Sequence, residues 1–169
     1  HKGEALFLRA YTYFLLWNVF GTAPIVNERI TDLNNMFPNG TKGNELLDQA
    51  ITDLANAVPL LPASWDAPNK GRVTKNSAYG LRAKCLVFKG SVAKSNADFT
   101  AALADINAIT GVSLASNYGY NFDVANENNQ ESLFEYQATQ PTGNVNPFVG
   151  AAGGNDAFAV IGEIGAWYG

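Results

Sequence analysis

The chain has 169 residues, which suits one domain or part of a larger one, and 47% of them are hydrophobic, so a packed core is feasible. At this length roughly 70% of the unfolded surface should be buried. Charged residues make up only 15%, and the net charge is -4. No basic stripe exists to neutralise phosphates, which argues against nucleic acid as a partner. Cys85 is the sole cysteine, so no internal disulfide forms, and its place in an apolar helical rhythm reads as a small buried hydrophobe. His1 is the sole histidine. A His/Cys metal site therefore lacks ligands, no cofactor is expected, and Ser-His or Cys-His nucleophile pairs are nearly excluded. The polar residues are largely Asn, Gly, Ser and Thr, a composition that suits an extracytoplasmic protein meeting neutral polar ligands.

Residues 4 to 20, EALFLRAYTYFLLWNVF, predict a first helix with an apolar stripe of Ala5, Leu8, Tyr11, Thr12, Leu15, Leu16 and Val19. A membrane span needs about 20 predominantly apolar residues; this run is shorter and contains Arg9 and Asn18, so a buried core helix is expected. Gly21 fits the left-handed position after its end, and Pro24 keeps the helix from resuming. Residues 22 to 43 read as an extended TAPIVNE segment and then a polar loop with Asn34, Asn35, Pro38, Asn39 and Gly40. Residues 44 to 58 predict a second helix, capped by Asn44 or Thr41, with Leu47, Ala50, Ile51, Leu54, Ala57 and Val58 inward and Asp48, Gln49, Thr52, Asp53 and Asn56 in water. Pro59 and Pro62 stop it. Leu54 should be buried, and Leu54→Ala should cost about 2–5 kcal/mol.

The loop ASWDAPNKG carries Trp65, either packed beneath the loop or offered to a ligand. Thr74 caps a third helix, about 75 to 89, with Ala78, Leu81, Cys85, Phe88 and Val92 inward and Arg82, Lys84 and Lys89 on its wet side. Ser95 or Asn96 caps a fourth, 97 to 109, with Phe99, Leu103, Ile106 and Ile109 inward. From residue 110 the period is lost. GVSLASNYGYNF reads as strand-like and turn residues, and ESLFEYQA, 131 to 138, alternates as a short strand. The Gly/Ala/Asn/Pro-rich remainder reads as irregular. The fold class is thus mainly α: a helical hairpin scaffold with long loops and a short β element, divided into 1–110 and 111–169. The start at His1 and the end in IGEIGAWYG predict a piece cut from something longer, so any signal peptide or lipid-anchor cysteine would lie upstream.

The order of segments resembles the SusD/RagB family. GEALFLRAYTYFLLWNVFGTAPIV is similar to its hallmark helix and exit turn, LLDQAITDLANAVPLLP to its second helix, GRVTKNSAYGLRAKCLVFKG to its third, and NYGYNFDVANENNQESLFEYQ to a turn followed by an acidic strand. The likeness covers roughly residues 3 to 138, and four pieces in order make it fairly specific. It implies a tetratricopeptide-like scaffold and a surface-exposed outer-membrane lipoprotein of Bacteroidetes that captures glycans or other nutrients. It further implies delivery to a SusC-like TonB-dependent transporter. Family members are much longer than this chain. Thr22 stands where the family has Asp, and the chain departs from the pattern after about residue 140.

A sugar presents a C–H face that stacks on aromatic rings and hydroxyls that need donors and acceptors. Trp65, Tyr118, Tyr120, Asn121, Trp167 and Tyr168 are the candidate oligosaccharide contacts, with loop-to-scaffold packing as the alternative role of each. Shallow sites of this kind bind at about -4 kcal/mol, the millimolar range. No catalytic residues are expected. Glu131 and Glu135, taken as a strand pair, would lie about 13 Å apart, too far for glycosidase chemistry. A tetratricopeptide-like protein-interaction module without carbohydrate binding is the competing function.

Overall fold

The structure is a computed structural model describing residues 1–31, 34, 40, 41 and 43–135. Among the described residues four α-helices follow one another: α1 (Lys2–Phe20), α2 (Glu45–Ala57), α3 (Lys75–Ala93) and α4 (Asn96–Ala108). α1 packs on α2, α2 on α3, and α3 on α4. The expected mainly α, tetratricopeptide-like hairpin scaffold is therefore what this chain forms, and its helices and loops to Phe134 make one compact unit. Among the described residues no helix is long and apolar enough to cross a membrane.

The ends follow local chemistry. Gly21 closes α1 at φ 71°, with its N–H on the Trp17 carbonyl. α2 begins after Asn44, which makes no side-chain cap bond, and tightens into a 3₁₀ turn, Val58–Leu60, as Pro59 enters. α3 has a reciprocal cap: Ser77 N–H donates to Thr74 Oγ1, and Thr74 N–H to Ser77 Oγ. Ser95 Oγ accepts from Asp98 N–H at the start of α4.

The core is built by Phe7, Ala10, Tyr13 and Phe14 of α1, Leu46, Leu47, Ala50, Leu54 and Ala57 of α2, and Ala78 and Cys85 of α3, with Leu61 and Val73 between. Leu54 is fully buried, as its period requires. Other faces differ from expectation. Leu8, Leu15 and Val19 of α1 are exposed, and Gly3, Phe7, Ala10, Tyr13 and Phe14 turn inward instead. α1 is apolar nearly all round, so its period does not single out one face. The small residues Gly3 and Ala10 decide it, because they allow close approach. A Cβ on Gly3 would lie 3.0 Å from the Leu60 Cβ. On α4, Phe99, Leu103 and Ile106 are exposed while Ala102 and Asp105 are buried. Phe88 and Val92 of α3 are likewise exposed, and Ala83, Leu86 and Gly90 are buried. The α3–α4 contact is again a small-residue contact: a Cβ on Gly90 would lie 3.1 Å from the Phe99 ring.

Two carboxylates expected in water or left unassigned are structural. Asp53 of α2 is buried and accepts two bonds from Arg9 of α1, at 2.7 and 2.6 Å. Asp105 of α4 is buried and accepts two from Arg82 of α3, at 2.7 Å from Nε and from Nη2. Arg82 is therefore not a solvated cation. The two ion pairs sit in a repeated pattern. Leu8-Arg9-Ala10 in α1 recurs as Leu81-Arg82-Ala83 in α3, and Ala50 three residues before Asp53 recurs as Ala102 three before Asp105. All four alanines of this pattern are buried. Each hairpin thus has a buried alanine on both of its helices and one forked Arg–carboxylate pair between them, whose planar geometry favours two parallel bonds.

The extended segment after α1 is pinned at Val26, whose N–H donates to Tyr13 Oη (2.8 Å) and whose carbonyl accepts from it (3.2 Å). No strand forms among the described residues, and the expected β element is corrected accordingly. Ser132 N–H goes back to the Asn129 carbonyl as a turn, and the Leu133 carbonyl accepts from Ser77 Oγ at 2.6 Å. Backbone groups used this way have no ladder partner. Residues 136–138 of the expected strand lie outside the described residues. In GVSLASNYGYNF the strand-like reading gives way to coil and a 3₁₀ turn, Tyr118–Phe122.

Candidate functional site

The loops converge on one side of α3. Leu133 lies over Gly80, where a Cβ would come within 2.5 Å of the Leu133 Cδ1, and Phe134 packs edge-on against Phe7 with ring centroids 5.0 Å apart. This anchors the segment running back from Phe134 against α1 and α3. Between that segment and the loop before α3 lies an open cavity of about 320 Å³. Trp65, Lys70, Arg72 and Asn76 line it on one side, and Asn129, Gln130 and Ser132 on the other.

Trp65 is held from two directions. Its Nε1–H donates to the Val73 carbonyl at 2.9 Å, and the Arg72 guanidinium lies 4.0 Å from the ring centroid. One face of the indole is therefore covered by a cation. Arg72 is itself fixed by two 2.8 Å bonds to the Glu4 carboxylate and one to Asn69 Oδ1. That pairing holds the Glu4 carboxyl below its ordinary range, chiefly through the hydrogen bond from Arg72.

Beside the cavity stands the 3₁₀ turn Tyr118–Phe122, started by Asn117 Oδ1 accepting from Gly119 N–H at 2.9 Å. Tyr118 and Phe122 meet edge-to-face at 5.3 Å and leave 76% and 75% of their surfaces in solvent. Tyr120 is also exposed. Asn121 donates to Glu131 Oε2 at 3.2 Å and accepts from Asn129 Nδ2 at 3.0 Å. Glu131 Oε2 also takes the Ala115 N–H at 3.0 Å, and these two donors, the backbone one foremost, hold the Glu131 carboxyl below its ordinary range. An ionised Glu131 lacks the proton a general acid must give.

Of the sequence candidates, Trp65 lines the cavity and Asn121 touches it through Asn129. Tyr118 and Tyr120 belong to the adjoining turn. Trp167 and Tyr168 lie outside the described residues. Phe122 and Arg72 were not among the candidates. Phe122 follows Tyr118 by four residues in the same 3₁₀ turn, close enough in the chain for the two rings to meet.

A family model described as "Starch-binding associating with outer membrane" (SusD-like) matches residues 1–87, more than half of the 169. The chain belongs to the SusD-like family. A SusD-like protein of Bacteroides ovatus is 28% identical over 141 residues, covering 79% of this chain and 25% of that protein. The crystal structure of a SusD-like protein from Bacteroides fragilis superposes with a TM-score of 0.68 at 28% identity, over 80% of this chain and 26% of the other. A laminarin-binding SusD-like protein gives a TM-score of 0.66 at 28% identity, over 78% and 29%. The chain spans about a quarter of the length of these SusD-like relatives. The family match covers α1, α2 and most of α3, so the SusD-like assignment rests on the scaffold; the cavity and the aromatic turn draw largely on residues beyond it.

Proposed function

We propose that this chain supplies the helical scaffold and part of the ligand-contacting loops of a surface-exposed outer-membrane lipoprotein that binds oligosaccharide and passes it to a SusC-like TonB-dependent transporter. The observation that carries the reading is the Tyr118–Phe122 turn. Two large rings stand in solvent where a core residue would be covered, beside a cluster of Asn side chains and an open polar cavity. Exposed rings offer stacking area to sugar C–H faces at low entropic cost. Asn and Gln amides provide both donors and acceptors for hydroxyls. The role proposed is binding, and the Glu131 carboxylate, which Asn121 touches, is committed to holding the loop. Laminarin is the first glycan to try, given the relative that binds it.

Isothermal titration of the purified full chain against a panel of neutral glycans tests the proposal. Weak binding to at least one member is expected, and Tyr118→Ala should weaken it by about 1 kcal/mol, roughly fivefold, through loss of a stacked ring. A flat response to every glycan would remove the reading.

The exposed apolar residues favour one second reading. Leu8, Leu15, Val19 and Phe20 of α1 and Leu103 and Ile106 of α4 are in solvent, which suits a protein-interaction module built on helical hairpins. Recovery with a large outer-membrane barrel would support the transporter partnership; recovery only with a soluble peptide partner, together with silence towards glycans, would support the module.

A further inference from the structure

We infer that the cavity between the Trp65 loop and the Asn128–Ser132 segment prefers a saccharide bearing carboxylate groups, a uronate, over a neutral one, with Lys70 as the residue that makes the distinction. This rests on the reading that the cavity receives a saccharide. The charge and the spare donors on the wall decide the preference. Asn76 gives its amide N–H to the Thr110 carbonyl at 2.7 Å. Asn129 donates to Asn121 and accepts from Glu131 N–H at 2.8 Å. Gln130 Nε2 donates to the Leu114 carbonyl at 2.7 Å. Each of these amides thus spends one N–H within the loops and keeps the other, and none of them carries a charge that would tell a uronate from a neutral sugar.

What remains is rich in donors. Arg72 has five N–H donors, of which Glu4 and Asn69 take three, leaving two. Lys70 is exposed, and its ammonium, with three donors, makes no ion pair or side-chain hydrogen bond among the described residues. Among the described residues no carboxylate lines the cavity, although the chain as a whole carries a net charge of -4. Glu4 pairs with Arg72, and Asp66 also acts on it, so Lys70 is the lining cation that makes no ion pair among the described residues. A wall with spare donors and a spare cation is complementary to a ligand with surplus acceptors and a negative charge, because an unmatched polar group loses its solvation without return. A uronate supplies a planar carboxylate on an otherwise sugar-like ring, so the same hydroxyl contacts remain possible.

Titration of the purified full chain with hexagalacturonate and with maltohexaose at low salt tests this. The expected result is tighter binding of hexagalacturonate, a preference that shrinks in 0.5 M NaCl as the charge is screened (about 10 Å screening length at 0.1 M and shorter above). Lys70→Gln should weaken hexagalacturonate by about fivefold, the upper range for an exposed charge pair, and Lys70→Arg should restore it. Equal or weaker binding of hexagalacturonate overturns the inference and leaves the glycan-binding reading standing. A uronate preference indifferent to Lys70→Gln also overturns it, by placing the recognition elsewhere. Binding of neither hexamer, nor of any neutral glycan, removes both readings together.

Discussion

Asp53 shows how one side chain can hold two helices together and why its partners are not equivalent. Its side chain is 2% exposed, whereas that of Arg9 is 34% exposed. Arg9→Ala strands a buried carboxylate with only the Gln49 amide at 2.9 Å to serve it, and breaking a buried pair this way costs about 3–5 kcal/mol. Asp53→Ala costs less, because the guanidinium left behind reaches water. Urea unfolding of the two variants should show that order, and the reverse order would mean that Arg9 is the more buried partner. Gln49 also accepts from Asn27 at 3.0 Å, so a residue of the extended segment after α1 is tied through Gln49 to the same carboxylate. Cys85 is an opposite case. Burial pushes its thiol up to about 12, so at neutral pH it holds its proton and fills space between helices.

At the scale of elements, the segment from Gly111 to Phe134 has no regular ladder and is held by point attachments. Three of them involve side chains already named: Ser77 to the Leu133 carbonyl, Gln130 to the Leu114 carbonyl, and Glu131 to Ala115 N–H and Asn121. The Glu131 attachment depends on pH. Its carboxyl is lowered in the folded chain, so the unfolded chain binds the proton more readily. Its contribution to stability is therefore fully present above the ordinary glutamate range and is lost as pH falls through the lower, folded value. An NMR titration should find Glu131 titrating below a free glutamate, with the Ala115 and Asn121 amide resonances moving alongside. A Glu131 that titrates as a free glutamate would show that this attachment does not hold the loop. How much of the aromatic turn was legible in the sequence is clear at this scale. YGYNF announces a turn carrying several rings, but nothing in the letters says that Asn121 and Glu131, ten residues apart, share a hydrogen bond.

Across the whole described unit, stability is unevenly distributed. α1, α2 and α3 share one continuous core, whereas α4 contributes only Ala102 to a small cluster with Ala83 and Leu86. α4 keeps its place through that contact, the Arg82–Asp105 pair and the Phe99 ring over Gly90, while Leu103 and Ile106 lie in solvent. Segments with few buried apolar contacts open at lower free energy than the core. Native-state hydrogen exchange should find α4 amides exchanging faster than those of α2, by a mechanism that does not require global unfolding. Equal protection in α2 and α4 would show that the two hairpins unfold as one.

The sequence by itself determined the four α-helices found among the described residues, their ends to within a few residues, the fold class and the family resemblance. Those depend on local physics: caps at Thr74 and Ser95, a left-handed glycine at Gly21, prolines after α2, and a period that repeats every turn. The hairpin repeat was also present in the letters, as Leu-Arg-Ala followed by Ala-x-x-Asp in each pair, although apolar periodicity alone does not reveal it. Only the tertiary structure decided which face of α1, α3 and α4 turns inward, because close approach of helices is set by where two small-residue patches coincide. It likewise decided that Asp53 and Asp105 are buried, that ESLFE forms no strand, and that Arg72 covers one face of Trp65. Each of these depends on a partner far along the chain, from 23 residues for Arg82 and Asp105 to 68 for Arg72 and Glu4, and no local pattern encodes such a distance.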